Sequence, residues 1–94
     1  MLHHILVKWK ERPADTAAYV REVEAVFRGA LDVPGVHEVR VVPNVIDRPN
    51  RYDLMIVLTM DRAALPAYDA CEAHHQWKQR YGELIEKKAI FDCD

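Results

Sequence analysis

His3, Tyr68 and His74 are the residues of this sequence whose types suit chemistry. An ordinary imidazole titrates near pH ~6.5 and can give or take a proton at neutral pH. A phenol held beside it can orient a substrate or steady a developing oxyanion. His74 heads a stripe with Trp77, Tyr81 and Ile85, at i, i+3, i+7 and i+11 of a helical pattern. That stripe should bury itself, which leaves the imidazole two fates. Either it is hydrogen-bonded within the core, or it stands on the wall of a cavity. His3 shares one face of an extended run with Ile5, Val7 and Trp9. Packing that face against the helix stripe would bring two histidines and a tyrosine together. His4 and His75 point elsewhere by periodicity and belong on the surface or at an interface.

The same segment argues against a metal. Cys71 and His75 are four apart, but His74 and His75 are neighbours, which on a helix point about 100° apart and cannot easily share one ion. No Ser-His-Asp order is present, and Gly29, Gly35 and Gly82 make no phosphate-cradling loop. Neither a metal nor a cofactor is expected.

The elements that must position these side chains follow from the pattern. Residues 2–10 alternate, with Leu2, His4, Leu6 and Lys8 on one face and His3, Ile5, Val7 and Trp9 on the other. Asp15 or Thr16 can cap a helix whose stripe is Tyr19, Val20, Val23, Val26, Phe27, Ala30 and Leu31. It should stop before the Pro34-Gly35 turn. Residues 36–42 form a second strand, where Glu38 and Arg40 share a face with Val36 and Val42, as on a sheet edge. Two prolines and two asparagines make 43–50 a loop. Residues 52–60 form a third strand, with Tyr52, Leu54, Ile56 and Leu58 facing one way and Asp53, Met55, Val57 and Thr59 the other. Asp61 should cap the next helix, and Pro66 should loosen its first turns. After a break near 71–73, a second helical piece runs over 74–86, and 88–93 is the last strand. The order β-α-β-β-α-β is the ferredoxin-like pattern, an α+β fold with an antiparallel sheet and both helices on one face.

Composition sets the outer limits. The 94 residues allow one domain, 1–94. Hydrophobic residues make up 50% and charged residues 30%, ordinary for a globular chain. A net charge of -2 and a pI near 6.2 give no electrostatic reason to expect nucleic acid or an anionic membrane. Cys71 and Cys93 make no disulfide framework and should be free thiols. No apolar run approaches the roughly 20 residues that span a bilayer, and Met1 leads straight into a strand, so a reduced cytoplasmic setting is the default expectation. One feature of the sheet is out of the ordinary. Leu2, Leu6, Met55 and Val57 make its second face apolar as well, and the chain has no spare element to cover it. A second copy of the sheet, in a homodimer, is the economical cover.

Several segments together resemble the stress-responsive dimeric α+β barrel (Dabb) family: residues 3–10 (HHILVKWK), 33–36 (VPGV), 51–54 (RYDL), 68–74 (YDACEAH) and 90–92 (IFD). The resemblance covers nearly the whole chain in order. It implies two ferredoxin-like protomers whose sheets face each other to form a barrel. A plant polyketide cyclase of that family works in a pocket between sheet and helices. Its motif falls here on His3, Tyr68 and His74. The chain departs from it at Leu54 and Val26, where the cyclase has a histidine and a tyrosine.

The expected site is therefore a mainly apolar pocket with His74 as acid or base and Tyr68 and His3 beside it. Val7, Trp9, Val26, Leu54, Ile56, Trp77 and Tyr81 would line it, for a hydrophobic or aromatic ligand. Three functions fit that picture. They are a cofactor-independent cyclase, isomerase or lyase, a non-catalytic stress-responsive barrel that binds small molecules, and a structural dimer module acting through protein partners.

Overall fold

Strict alternation decides the first strand. In the computed structural model, which describes Met1–Asp94, β1 (Leu2–Trp9) buries His3, Ile5, Val7 and Trp9 and leaves the residues between them half-covered. β3 (Leu54–Met60) does the same with Leu54, Ile56, Leu58 and Met60, none more than 2% exposed. Between them come α1 (Thr16–Arg28) and β2 (Val36–Pro43); after them come α2 (Leu65–Asp69), α3 (Glu72–Tyr81) and β4 (Ile85–Cys93). The sheet order is β2-β3-β1-β4 and every pairing is antiparallel. This is the ferredoxin-like α+β arrangement.

The helices form one layer over the face of Ile5, Val7, Leu54 and Ile56. Asp15 caps α1, its carboxylate accepting from the Ala18 N–H at 3.0 Å. Tyr19, Val23, Val26 and Phe27 of α1 are buried, as are Tyr68 of α2 and Ala73, Trp77 and Tyr81 of α3. Gly35 takes the turn into β2 at φ 93°, where a Cβ would stand 2.9 Å from that of Ala64. No helix is long and apolar enough to cross a membrane.

Several local expectations are corrected. A register shift between Val36 and Glu38 turns Val36 onto the core face with Val39 and Val41, away from Glu38 and Arg40. β2 is an edge strand nonetheless. Tyr52 and Asp53 precede β3. The Asp53 carboxylate accepts from the Trp9 N–H at 2.9 Å, tying the loop end to β1. Asp61 caps nothing; its carboxylate pairs with His37 Nε2 at 2.9 Å. Pro66 falls in the first two positions of α2, where its missing N–H costs no helical bond. Leu31 lies past the end of α1 and is 37% exposed. The last helix ends at Tyr81, followed by a 3₁₀ turn, so Ile85 opens β4 instead of completing the His74 stripe.

The opposite face of the sheet has no cover. Strand register lays out one row of Arg40, Val57, His4 and Phe91, and another of Val42, Met55, Leu6 and Ala89. Leu2, Leu6, Met55 and Val57 are half-buried by their neighbours alone, and Phe91 is 61% exposed. Cys93 stands beside Leu2 on this face, and both cysteines are unbonded.

Candidate functional site

One end of the helix–sheet layer gathers the titratable groups. β1 supplies His3 from its first turn of pleat, and its register with β4 sets Asp92 directly opposite. The His3 Nδ1–H donates to the Asp92 carboxylate at 2.5 Å. A carboxylate only accepts, so this contact fixes the proton on Nδ1 and leaves Nε2 as the other ring position. Tyr68 comes from α2 and is fully buried, with its ring 5.4 Å from that of His3 and 5.2 Å from that of His74. It therefore stands between the two imidazoles. Its hydroxyl has no hydrogen-bond partner, and burial pushes its pKa well above the usual 10, so the phenol stays protonated and able to donate.

His74 is placed by the break between α2 and α3. The chain turns there so that the ring reaches back, and Nδ1–H donates to the Asp69 carbonyl at 2.9 Å. A carbonyl cannot donate, so the neutral ring keeps its lone pair at Nε2. Burial is the main cause lowering its pKa, with the Lys78 ammonium adding to the effect and the Asp69 contacts opposing it. The ring is thus held neutral, with a single free lone pair, as a general base requires.

Both imidazoles line a cleft of about 260 Å³ between the sheet edge and the α2–α3 corner. Ile5, Leu65, Trp77 and Ile90 form its apolar part; Asp69, Lys78, Lys88 and Asp92 complete it. Four apolar residues among ten is a more polar lining than the sequence pattern suggests. Of the expected lining side chains, the structure brings Trp77 to this cleft. Val7, Val26, Leu54 and Ile56 are packed in the core, where they shape the site from behind. Trp9 and Tyr81 are buried toward the far end of β1 and α3, against Tyr19. His4 lies on the uncovered face, its Nδ1–H donating to the Phe91 carbonyl at 3.0 Å, and His75 is exposed. No cluster of three or more His, Cys, Asp or Glu side chains is arranged to hold a metal ion.

Sequence reasoning missed Asp92, Lys88, Asp69 and Lys78 as members of the site. For the first two a signal existed: aligning Ile90 with Ile5 across an antiparallel pair puts Asp92 opposite His3 and Lys88 opposite Val7. Lys78 follows His74 by four residues on the same helix and so shares its face.

The fold and this corner define the class, a ferredoxin-like α+β protein with a histidine-bearing cleft between sheet and helices. Among solved structures, the chain is similar to a Dabb family protein with a ferredoxin-like fold from Mesorhizobium loti (TM-score 0.72, 16% identity, covering 99% of this chain and 93% of that one). A dimeric ferredoxin-like protein of unknown function from Jannaschia superimposes with a TM-score of 0.76 at 23% identity, covering 99% and 96%. The hydroxynitrile lyase of Passiflora edulis has the same fold (TM-score 0.71, 11% identity, covering 96% and 87%). No family model matches the sequence, and no curated protein matches it. The resemblance noted in the residues thus has its counterpart in the fold, which this chain shares with the Dabb protein.

Proposed function

We propose that this chain forms a homodimeric α+β barrel, in which each protomer binds a small, largely hydrophobic or aromatic molecule in the cleft lined by His3 and His74, with Tyr68 buried behind them, and moves a proton on it. The reaction class is that of a cofactor-independent cyclase, isomerase or lyase. The observation that carries this reading is the state of His74: neutral, its Nδ1–H spent on the Asp69 carbonyl, its Nε2 free at a cleft wall. A histidine with a purely structural task would have no need of that cleft. His74 would abstract or return the proton and His3 would orient the substrate or hold charge developing on its oxygen, while Tyr68, packed against both rings from behind, would hold them in place. The dimer is supported by the bare apolar sheet face and by the dimeric ferredoxin-like protein from Jannaschia. That a hydroxynitrile lyase shares the fold is in keeping with a lyase among the candidate reactions.

A thermal-shift screen of small aromatic and alicyclic compounds tests the reading. A compound at a hundred times its Kd adds about 2.7 kcal/mol to stability, and wild-type protein should show such shifts for a subset. The best binder should lose most of its shift in His74→Ala. If no compound stabilises the protein, or if the shifts survive His74→Ala unchanged, the cleft is not the site.

A further inference from the structure

The histidine cleft has a second half, and it is cationic. Its side walls are β4 and α3, and each carries a lysine beyond the histidines. On β4, Asp92, Ile90 and Lys88 share the face that turns to the cleft, opposite His3, Ile5 and Val7 of β1. Lys88 thus lies roughly 13 Å along the strand from Asp92. On α3, Lys78 follows His74 by about one turn, about 6 Å along the axis. The helix runs from His74, beside Tyr68 and His3, to Tyr81, whose ring meets Tyr19 beside Trp9. Both lysines are therefore displaced from the histidines in the same direction.

Neither ammonium has a partner in the chain. Of the lysines only Lys8 donates a side-chain hydrogen bond, and every ion pair uses an arginine or a histidine. Asp92 is taken by His3, and Asp69 ends α2, on the other side of His74 in the chain. Both ammoniums are nonetheless felt at the His74 ring. Burial is the main cause of its lowered pKa; Lys78 and Lys88 add to that, and the Asp69 contacts oppose it. We propose that Lys78 and Lys88 form an anion subsite, and that the cleft takes an apolar or aromatic monocarboxylate. Its body would rest on Ile5, Leu65, Trp77 and Ile90. This inference rests on the cleft being the binding site, as proposed above, and names the class of compound it takes. Each ammonium offers three donors to carboxylate oxygens that only accept. Both lysines are exposed, so the carboxylate keeps part of its hydration and avoids the cost of full burial. Asp69 and Asp92 on the same wall repel a second negative charge, which favours a monoanion over a phosphate. Once bound, the carboxylate offsets the two ammoniums, and His74 becomes a stronger base with its substrate in place.

Phenylacetate and phenylacetamide test this, because they share a shape and differ in charge. At about pH 7.5 His74 is neutral, so a preference for the acid does not come from that imidazole. Binding is read from the indole N–H of Trp77, which borders the cleft, with Trp9 at the far end as the internal control. The two signals in a ¹H–¹⁵N correlation spectrum are assigned with Trp9→Phe. Phenylacetate should move Trp77 along a saturating curve and bind about 5- to 20-fold more tightly than the amide. Lys78→Gln and Lys88→Gln should each reduce that preference about 3-fold, and the double variant should abolish it, with amide affinity unchanged. Raising salt from about 20 to about 500 mM should shrink the preference. Equal binding of acid and amide at Trp77 overturns the subsite and leaves the cleft standing as a binding site. A preference that survives the double variant, or tighter binding of phenyl phosphate, overturns it likewise. If neither compound moves Trp77 up to about 10 mM, below any useful affinity, the subsite and the cleft fall together.

Discussion

The two faces of the sheet are built from the same strands, yet one is a finished core and the other stops at the surface. On β3, Ile56 is fully buried under the helices while its neighbour Val57 stands half-covered on the other side. On β1 the same holds for Ile5 and Leu6. The helix-covered face also carries the His3–Asp92 pair, His74 and the buried tyrosines, gathered toward the two ends of the layer. His3, Tyr68 and His74 sit at one end, and Trp9, Tyr19 and Tyr81 at the other. The bare face has largely apolar rows, with His4 among them and Glu38, Arg40, Lys8 and Lys87 toward its margins. An α+β layer thus seals its middle and leaves clefts toward its ends. A sheet face without helices offers shape and apolar area, which suits another sheet.

The largest expected effects come from putting one charge on each face in turn. Ile56→Asp buries a carboxylate with no partner in the core; the cost is several kcal/mol against a total stability of about 5–15 kcal/mol, and the chain should unfold. Val57→Asp, one residue on, should give a folded monomer, since its carboxylate meets water once the partner leaves. Circular dichroism and sedimentation velocity read the pair. A Val57→Asp protein that still sediments as a dimer would place the interface elsewhere.

Next in size is the chemistry at the covered end. His74→Ala should lower turnover of a substrate found in the screen by about 10²- to 10⁴-fold. At 1.36 kcal/mol per tenfold this is about 3–5 kcal/mol of lost transition-state stabilisation. Fold and dimer should survive, because the ring is only partly buried and its one hydrogen bond is local. Retained turnover would assign His74 to structure.

A smaller effect follows from the lowered pKa of His74. The unfolded chain takes its proton near 6.5 and the native ring only at lower pH. Above 6.5 both states are neutral there, and below it the unfolded state binds more protons, so acidification costs stability. The same ring stays a base to lower pH than a free imidazole, so the acid limb of the rate profile should fall below 6.5. A limb above that value would point to a different base.

Much of this was legible in the residues because it was local. Alternation in β1 and β3 set both faces, and helical spacing with a capping aspartate set α1. The convergence of His3, Tyr68 and His74 could be expected once strand face and helix stripe were opposed. What escaped depended on distant pairings. Asp92 and Lys88 join the cleft only through the β1–β4 register, which no local pattern displays. The face of Val36 was misassigned because a bulge breaks period two without a sequence mark. Ile85 fitted a helical stripe numerically, but the 3₁₀ turn at Gly82–Leu84 had already ended the helix.

The smallest effect separates the two imidazoles themselves. His74 is held by a backbone carbonyl, which substitution cannot remove, whereas His3 is held by a side chain on a strand edge. Asp92 is 39% exposed on its side chain while that of His3 is 7% exposed, so water and salt weaken what the carboxylate can do for the ring. Asp92→Asn keeps the shape and an acceptor oxygen but removes the charge. Stability should change by about 1 kcal/mol or less, and turnover should fall no more than about 5-fold, the rate equivalent of that energy. The ¹⁵N shifts of the His3 ring should still report the proton on Nδ1, now donated to the amide oxygen. If Asp92→Asn instead cost as much turnover as His74→Ala, the roles would be reversed. The carboxylate-backed His3 would be the base, and His74 the residue that orients.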